Sequence, residues 1–348
     1  MTQAQLRPPT MADVARLAGV SHQTVSRVLG NHPNVRQETR AKVLRAIEEM
    51  GYRRNSSARA LATRRTRTLG VVASDTTLYG PASTLFALEE AARAEGYLVS
   101  TVSLRRLTVD KLSEALDHLS EGGVEGVVAI APQRSAVEAL AGLRYPFPVV
   151  TVGSGSGLGI PSVCVDQYAG ACLATGHLLA AGHRQVWHLA GPEDWQEAAD
   201  RAAGWRATLE AAGVEPPLML RGDWSPQSGY RAGQELARRA GSGLTAVFVA
   251  NDQMALGVLR ALREAGVRTP EDVAVVGFDD IPESEFYAPP LTTVRQDFPA
   301  VGRQSIAMLL GLIEGCGPPG PAPIAIEPQL VVRASTFPYT PGQDARTA

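Results

Sequence analysis

Residues 10–30, TMADVARLAGVSHQTVSRVLG, constrain the fold more than any other stretch. Apolar residues fall at Val14, Leu17 and Ala18, then at Val25, Val28 and Leu29. Each set has the i, i+3, i+4 spacing of one helical face. Thr10 and Asp13 form a capping box before the first helix, and Gly19 supplies a turn. Ser21 is a good N-cap for the second helix and Gly30 a stop. Two short helices joined by a tight glycine turn make a helix-turn-helix. A third helix over about 37–50 carries Val43, Leu44, Ile47 and Met50 on one side and ends at Gly51. Three such helices close a small core. His22, Gln23, Thr24 and Arg27 then project from the first turns of the second helix, where a recognition helix meets base edges in the major groove. Gln can bond adenine bidentately and Arg can bond guanine.

The charge supports that partner, although the whole chain averages to −2. Through Arg67 there are 13 Arg and Lys against 4 Asp and Glu; the remainder holds 20 against 31. The basic end is the electrostatic footprint of a phosphate binder, and the acidic remainder is not. Three cysteines, Cys164, Cys172 and Cys316, have no Cys-x-x-Cys spacing, so neither a disulfide framework nor a zinc site follows. MTQAQLRPP has no apolar signal region and no run approaches a membrane span, so the expectation is a cytoplasmic protein working at the nucleoid.

Residues 1–9 read as a tail. Asn55 to Ala62, NSSARALA, reads as a capped helix of two turns, marginal alone in water because nucleation is costly. From Thr68 short apolar runs alternate with helical stretches. Strands are expected over 69–74, 97–103, 125–131, 147–152, 185–191, 217–222, 246–250 and 273–279, with helices between them. The first of these helices is expected over 83–95, one more over about 299–314, and a last strand near 324–332. This is an α/β pattern of parallel sheets covered by helices, in two doubly wound lobes. Ligands in such folds lie beyond the strands' carboxyl ends. Ser74, Trp224, Asn251 and Asp279 follow strands, Gln296 lies in TTVRQDF, and Arg201 sits near the start of its helix. An indole face, a carboxylate, an amide and a guanidinium suit a sugar, whose apolar ring face packs on the aromatic plane while its hydroxyls are hydrogen-bonded.

DVARLAGVSHQTVSRVL, VRQETRAKV and GYRRN-SSARALA, taken in that order, resemble the DNA-binding headpiece of the lactose/galactose repressor family. The likeness continues through AGP (190–192), AGW (203–205), GDWSPQSG (222–229), VANDQMALG (249–257), VVGFDD (275–280) and YAPPLTTVRQDF (287–298), nearest to the family's lactose-responsive branch. The resemblance implies a three-helix helix-turn-helix headpiece (10–54), a hinge helix and linker (55–67) and a two-lobed, periplasmic-binding-protein-like core of doubly wound parallel sheets (68–340). The N-lobe would take about 68–165 and 296–323, the C-lobe 166–295 and 324–340, with a tail at 341–348. It implies DNA contacts from Thr10, Ser21, His22, Gln23, Thr24, Ser26, Arg27 and Asn31, and from Asn55, Ala58, Leu61 and Ala62 of the hinge. Leu61 corresponds to a leucine wedged between central base steps, and such wedges kink DNA. It implies effector contacts from Leu78, Pro81 and Phe298 beside Ser74, Arg201, Trp224, Asn251, Asp279 and Gln296. Arg36 departs from a family serine that caps the third helix, and Asn34 is expected to cap instead. Glu197 stands where lactose-responsive members carry a serine, and Thr151 where they carry an aspartate. The ending PYTPGQDARTA offers no leucine heptad, so a homodimer is expected.

Other chemistries find no footing. GSGSGLG (153–159) lacks the G-x-G-x-x-G spacing, and there is no G-x-S-x-G elbow. His177, His183 and His188 lack metal-ligand partners at recognisable spacing and read as structural. No enzyme, metal or cofactor is expected. Three functions compete: a sugar-responsive repressor, a secreted sugar-binding protein of transport, and a sugar-processing enzyme. The headpiece favours the first, released from palindromic double-stranded operator DNA by a saccharide, with a galactoside favoured. A purine or phosphorylated co-repressor that tightens the complex is the alternative.

Overall fold

The first helix, α1 (Met11–Ala18), opens on the expected box: Asp13 N donates to Thr10 Oγ1 at 3.4 Å and Thr10 N to Asp13 Oδ2 at 2.9 Å. Gly19 makes the turn at φ 65°, and Ser21 caps α2 (His22–Leu29) by accepting from Thr24 N at 3.2 Å. α3 (Gln37–Glu49) begins at Arg36 with no side-chain cap bond, so Asn34 does not cap it; Arg40 instead donates to His32 O. Val14, Val25 and Val43 are fully buried, joined by Ala15, Val28, Ala46 and Tyr52. Leu17 and Leu44, expected in this core, are 48% and 51% exposed.

The computed structural model describes residues 9–30, 32–52, 65–104, 108–131, 133–153, 159–240, 242–316 and 323–336. Asn31 and the hinge segment with Asn55, Ala58, Leu61 and Ala62 lie outside the described residues. The chain divides into a unit ending at Thr66 and a second from Arg67.

The second unit holds two six-stranded sheets. The first has the order β11-β5-β4-β3-β1-β2, all parallel. Its strands are β1 (Thr68–Ser74), β2 (Leu98–Leu104), β3 (Val127–Ile130), β4 (Val149–Val152), β5 (Ser162–Val165) and β11 (Ile324–Ile326). α5 (Val109–Glu121) and α6 (Arg134–Gly142) cover one face through Leu112, Leu119 and Leu140. α4 (Tyr79–Ala94) and α11 (Phe298–Ile313) cover the other through Leu88, Ile306 and Leu309.

The second sheet has the order β12-β10-β9-β8-β6-β7, parallel except for β12. It comprises β6 (Trp187–Ala190), β7 (Leu220–Arg221), β8 (Ala246–Val249), β9 (Ala274–Asp279), β10 (Thr292–Arg295) and β12 (Gln329–Val331). α7 (Gln167–Ala180) and α8 (Gln196–Ala211) lie on one face, α9 (Pro226–Arg239) and α10 (Asp252–Glu264) on the other.

Three local expectations need correction. α4 starts at Tyr79, within what reads as a loop, because Pro81 is tolerated in a first helical turn. The single strand near 324–332 is two: β11 extends the first sheet beside β5, and β12 runs antiparallel to β10 in the second. Pro328 divides them because it cannot donate to a ladder, so the chain changes lobe at 327–328 rather than 324. β5 and β10 are strands where none was expected. Residues of β10 look polar, but Thr293 Oγ1 donates to Asp252 Oδ1 at 2.6 Å and Thr292 Oγ1 lies 2.8 Å from Thr336 Oγ1, so both threonines are wholly buried.

Candidate functional site

The carboxyl ends of β6, β8 and β9 and the start of α4 line a small, partly open cavity between the two sheets. Leu78, Pro81, Arg201, Trp224, Asn251, Asp279 and Gln296, all expected there, line it. Tyr79, Gly80, Trp195, Glu197 and Gln253 complete the wall. Ser74 and Phe298 do not line it. Ser74 is buried and donates to Gln133 Oε1 at 3.2 Å; Phe298 meets Tyr79 edge-on at 5.9 Å and borders a neighbouring hollow. Thr151 is buried within β4 and likewise stands apart.

A closed ring of polar side chains organises the wall. Arg201 Nε donates to Gln167 Oε1 at 2.9 Å, Gln167 Nε2 to Gln296 Oε1 at 2.9 Å, and Gln296 Nε2 to Asp279 Oδ1 at 2.7 Å. Asp279 Oδ1 lies 3.7 Å from Arg201 Nη2, closing the circuit. Arg201 also donates to Ala250 O and stacks on the Phe278 ring at 3.8 Å. A buried guanidinium costs much unless hydrogen-bonded on all sides, and here each of its nitrogens has a partner.

The aromatic wall is built as tightly. Trp224 meets Trp195 edge-to-face with centroids 5.4 Å apart. Its indole lies on Gly191, where an added Cβ would come within 2.2 Å of the ring, so only glycine permits this seat. Asn251 Oδ1 caps α10 through Met254 N at 2.9 Å while its Nδ2 donates to Trp224 O at 3.2 Å. Trp224, Asp279 and Asp280 all carry positive φ, 71°, 111° and 51°. Such backbone strain costs on the order of 1–3 kcal/mol per residue and concentrates at functional sites.

Burial raises the Asp279 carboxyl to about 6, against the pull of Arg201 and the Gln296 bond. Burial likewise pushes Glu197 up, with Arg201 opposing and Asp279 reinforcing. His188 and His183 are pushed down to about 3 and about 4 by burial and bond Phe248 O and Thr245 Oγ1, as structural histidines do. Among the described residues no group of His, Cys, Asp or Glu could hold a metal, and no helix is long and apolar enough to cross a membrane.

The lobes also touch beside the cavity. Gln133 and Trp195 pair as an isolated antiparallel bridge. Arg134 N donates to Asp194 O and Ser135 Oγ to Asp194 Oδ2, each at 3.1 Å. Trp195 therefore holds the opposite lobe through its backbone while its ring walls the cavity. Sequence reasoning missed Trp195; its signal was an aromatic residue soon after β6, in AGPEDW.

In the first unit His22, Gln23, Ser26 and Arg27 are exposed on α2 and Thr24 half-buried. Thr10 and Ser21 are exposed, with their hydroxyls engaged by Asp13 and Thr24. The exposed row is the face left free by the Val25 and Val28 contacts.

The family described as bacterial regulatory proteins, lacI family, matches residues 10–55, and the periplasmic binding protein-like domain matches 175–336. The chain is 36% identical to the lactose operon repressor of Escherichia coli (strain K12) over 314 residues, 89% of this chain and 86% of that one. A crystal structure of the Lac repressor bound to ONPG in the repressed state superposes with a TM-score of 0.83 at 35% identity, covering 95% of this chain and 100% of that chain. A complex of the transcriptional regulator CelR with cellobiose superposes at 0.71 and 33% identity, covering 94% and 100%.

Proposed function

The chain belongs to the lacI family of bacterial regulatory proteins, and from that premise we propose that it is a transcriptional repressor released from a palindromic operator by a saccharide bound between its core lobes. One observation carries the reading: a single chain joins a helix-turn-helix with His22, Gln23, Ser26 and Arg27 exposed to a strand-end cavity walled by indoles and polar groups. The cavity's chemistry is that of sugar recognition. Trp224 and Trp195 offer apolar faces; Asp279, Asn251 and Arg201 offer acceptors and donors in fixed positions. A galactoside or a related glycoside fits this set, and relatives include a lactose operon repressor and a CelR–cellobiose complex.

The proposed mechanism is a population shift between two arrangements of the lobes. A homodimer grips two half-sites, and the ligand favours the arrangement that parts its hinge segments. The bridge at Gln133 and Trp195 is where a ligand against the Trp195 ring alters contact with the other lobe. A saccharide releases DNA only as far as it prefers one arrangement, a factor of ten for each ~1.4 kcal/mol.

The test is an operator-release titration with galactosides, glucosides and monosaccharides at fixed salt, using a site selected from random duplexes. Wild-type protein releases on sugar addition, and Asp279→Ala and Arg201→Ala lose that release. An Asp279→Ala protein that responds at wild-type sugar concentrations refutes the site. Tightening on ligand addition would make the ligand a co-repressor.

A further inference from the structure

The cavity has one cation and two carboxylates in its wall: Arg201, Asp279 and Glu197. The cation is already committed. Its nitrogens go to Gln167, Ala250 O and Asp279, and its face lies on Phe278. Asp279 is committed too, to Arg201 and Gln296. Glu197 differs. It stands in the first turn of α8, lines the cavity, and makes no hydrogen bond or ion pair among the described residues. Its side chain is half-buried and no donor of the wall bonds it, so a ligand that displaces its remaining water leaves the carboxylate unsatisfied unless the ligand itself donates. The remaining wall beside it is aromatic or amide, from Trp195, Trp224, Asn251, Gln253 and Gln296.

We infer that Glu197 sets the charge class of the effector: the cavity takes saccharides that present a hydroxyl or ammonium donor to this carboxylate, and turns away phosphorylated or carboxylated ones. The inference rests on the reading of the cavity as the effector site, and narrows it. An anionic ligand would meet the uncompensated charge of Glu197 with no uncommitted cation in the wall to offset it. Like charges about 5 Å apart at an effective dielectric constant of about 20 repel enough to weaken binding about 100-fold. A donor on the ligand instead satisfies the orphan carboxylate, and a charge-assisted hydrogen bond of that kind is worth about 10- to 100-fold in affinity. First-turn acids also favour helix N-termini through the dipole, but that role requires no cavity-facing carboxylate and confers no ligand discrimination.

The test is isothermal titration of the full-length protein with methyl β-galactopyranoside, its 6-phosphate and its 6-amino-6-deoxy analogue, and with the same three of the gluco series. In the series that binds, wild-type protein should hold the amino and neutral probes about 100-fold more tightly than the phosphate. Glu197→Gln, of the same shape, and Glu197→Ser should each shrink the amino-to-phosphate ratio about tenfold or more. Equal affinity of wild-type protein for phosphate and neutral probes overturns the inference. So does an unchanged ratio in both variants when saccharides still bind, and in that case the effector-site reading stands. If no probe of either series binds, the saccharide reading of the cavity falls and this inference with it.

Discussion

Lowering the pH from 7.5 to 5 should weaken saccharide binding about tenfold, and the cause is Asp279. Burial raises this carboxyl to about 6 even with Arg201 beside it and Gln296 donating to it. At that value it is about 3% protonated at pH 7.5 and about 90% protonated at pH 5. The sign for the fold and for the ligand is opposite. A carboxyl raised above its unfolded value stabilises the fold while protonated, a contribution lost as pH rises through about 6. Sugar hydroxyls need the ionised oxygens as acceptors, so binding is strong above 6 and fades below it. The loss from pH 7.5 to 5 follows the ionised fraction, about tenfold or ~1.4 kcal/mol.

The neighbours of Asp279 shape this profile. Glu197 is raised in the same direction by burial, against the pull of Arg201. Burial holds Asp252 well above its ordinary range, and Tyr79, raised from an already high ordinary value by burial, stays protonated through the window. Asp280, whose carboxylate bonds Arg295 and Arg333, is held low and stays ionised. His183 and His188, near 4 and 3, remain neutral. Titrating the quench of Trp195 and Trp224 fluorescence by a bound glycoside at half-unit pH steps reads the profile. A flat affinity from 7.5 to 5, or an equal fall in Asp279→Asn, refutes the reasoning.

Two further outcomes are expected. Gln23→Ala or Arg27→Ala should cost roughly 1–3 kcal/mol of operator affinity and relax base preference at one position per half-site, as read by selection from random duplexes; an unchanged selected motif contradicts base reading by α2. Gly191→Ala should push the Trp224 indole from its seat, since the new Cβ falls within 2.2 Å of the ring. Overpacking of this kind costs typically 1–3 kcal/mol, seen as weaker saccharide binding and an altered tryptophan emission; wild-type affinity in this variant would mean that the indole does not touch the ligand.

The headpiece is legible in the sequence because its determinants are local. Thr10, Asp13, Gly19 and Ser21 act within three or four residues of themselves, and each does what its position asks. Leu17 and Leu44 misled because helical spacing selects a face without saying which edge of it a partner covers; Ala15 and Ala46 permit the close approach. In the core, the alternation of strand and helix was enough to bring seven expected residues to one wall, since residues following parallel strands gather at one end of a sheet. The ring among Gln167, Arg201, Asp279 and Gln296 was not legible: its longest bond joins residues 129 apart, and Gln167 follows a strand that was not expected. β10 stayed hidden for the same reason. Its threonines look solvent-facing until Asp252 and Thr336 are folded against them.

What sequence withholds, then, is which polar groups satisfy one another, and that is also what separates the two carboxylates of the cavity. By residue type Asp279 and Glu197 are alike. In the fold one is held by Arg201 and Gln296 and the other by neither. Partnership costs Asp279 its freedom to recruit a ligand's charge, and leaves that task to Glu197. On the proposed reading the ring fixes where a saccharide sits, and Glu197, outside the ring, sets which saccharides are taken. A Glu197→Gln protein that binds neutral glycosides yet no longer rejects their phosphates would separate the two roles; one that loses both together would show that Glu197 belongs to the ring's work of holding the sugar.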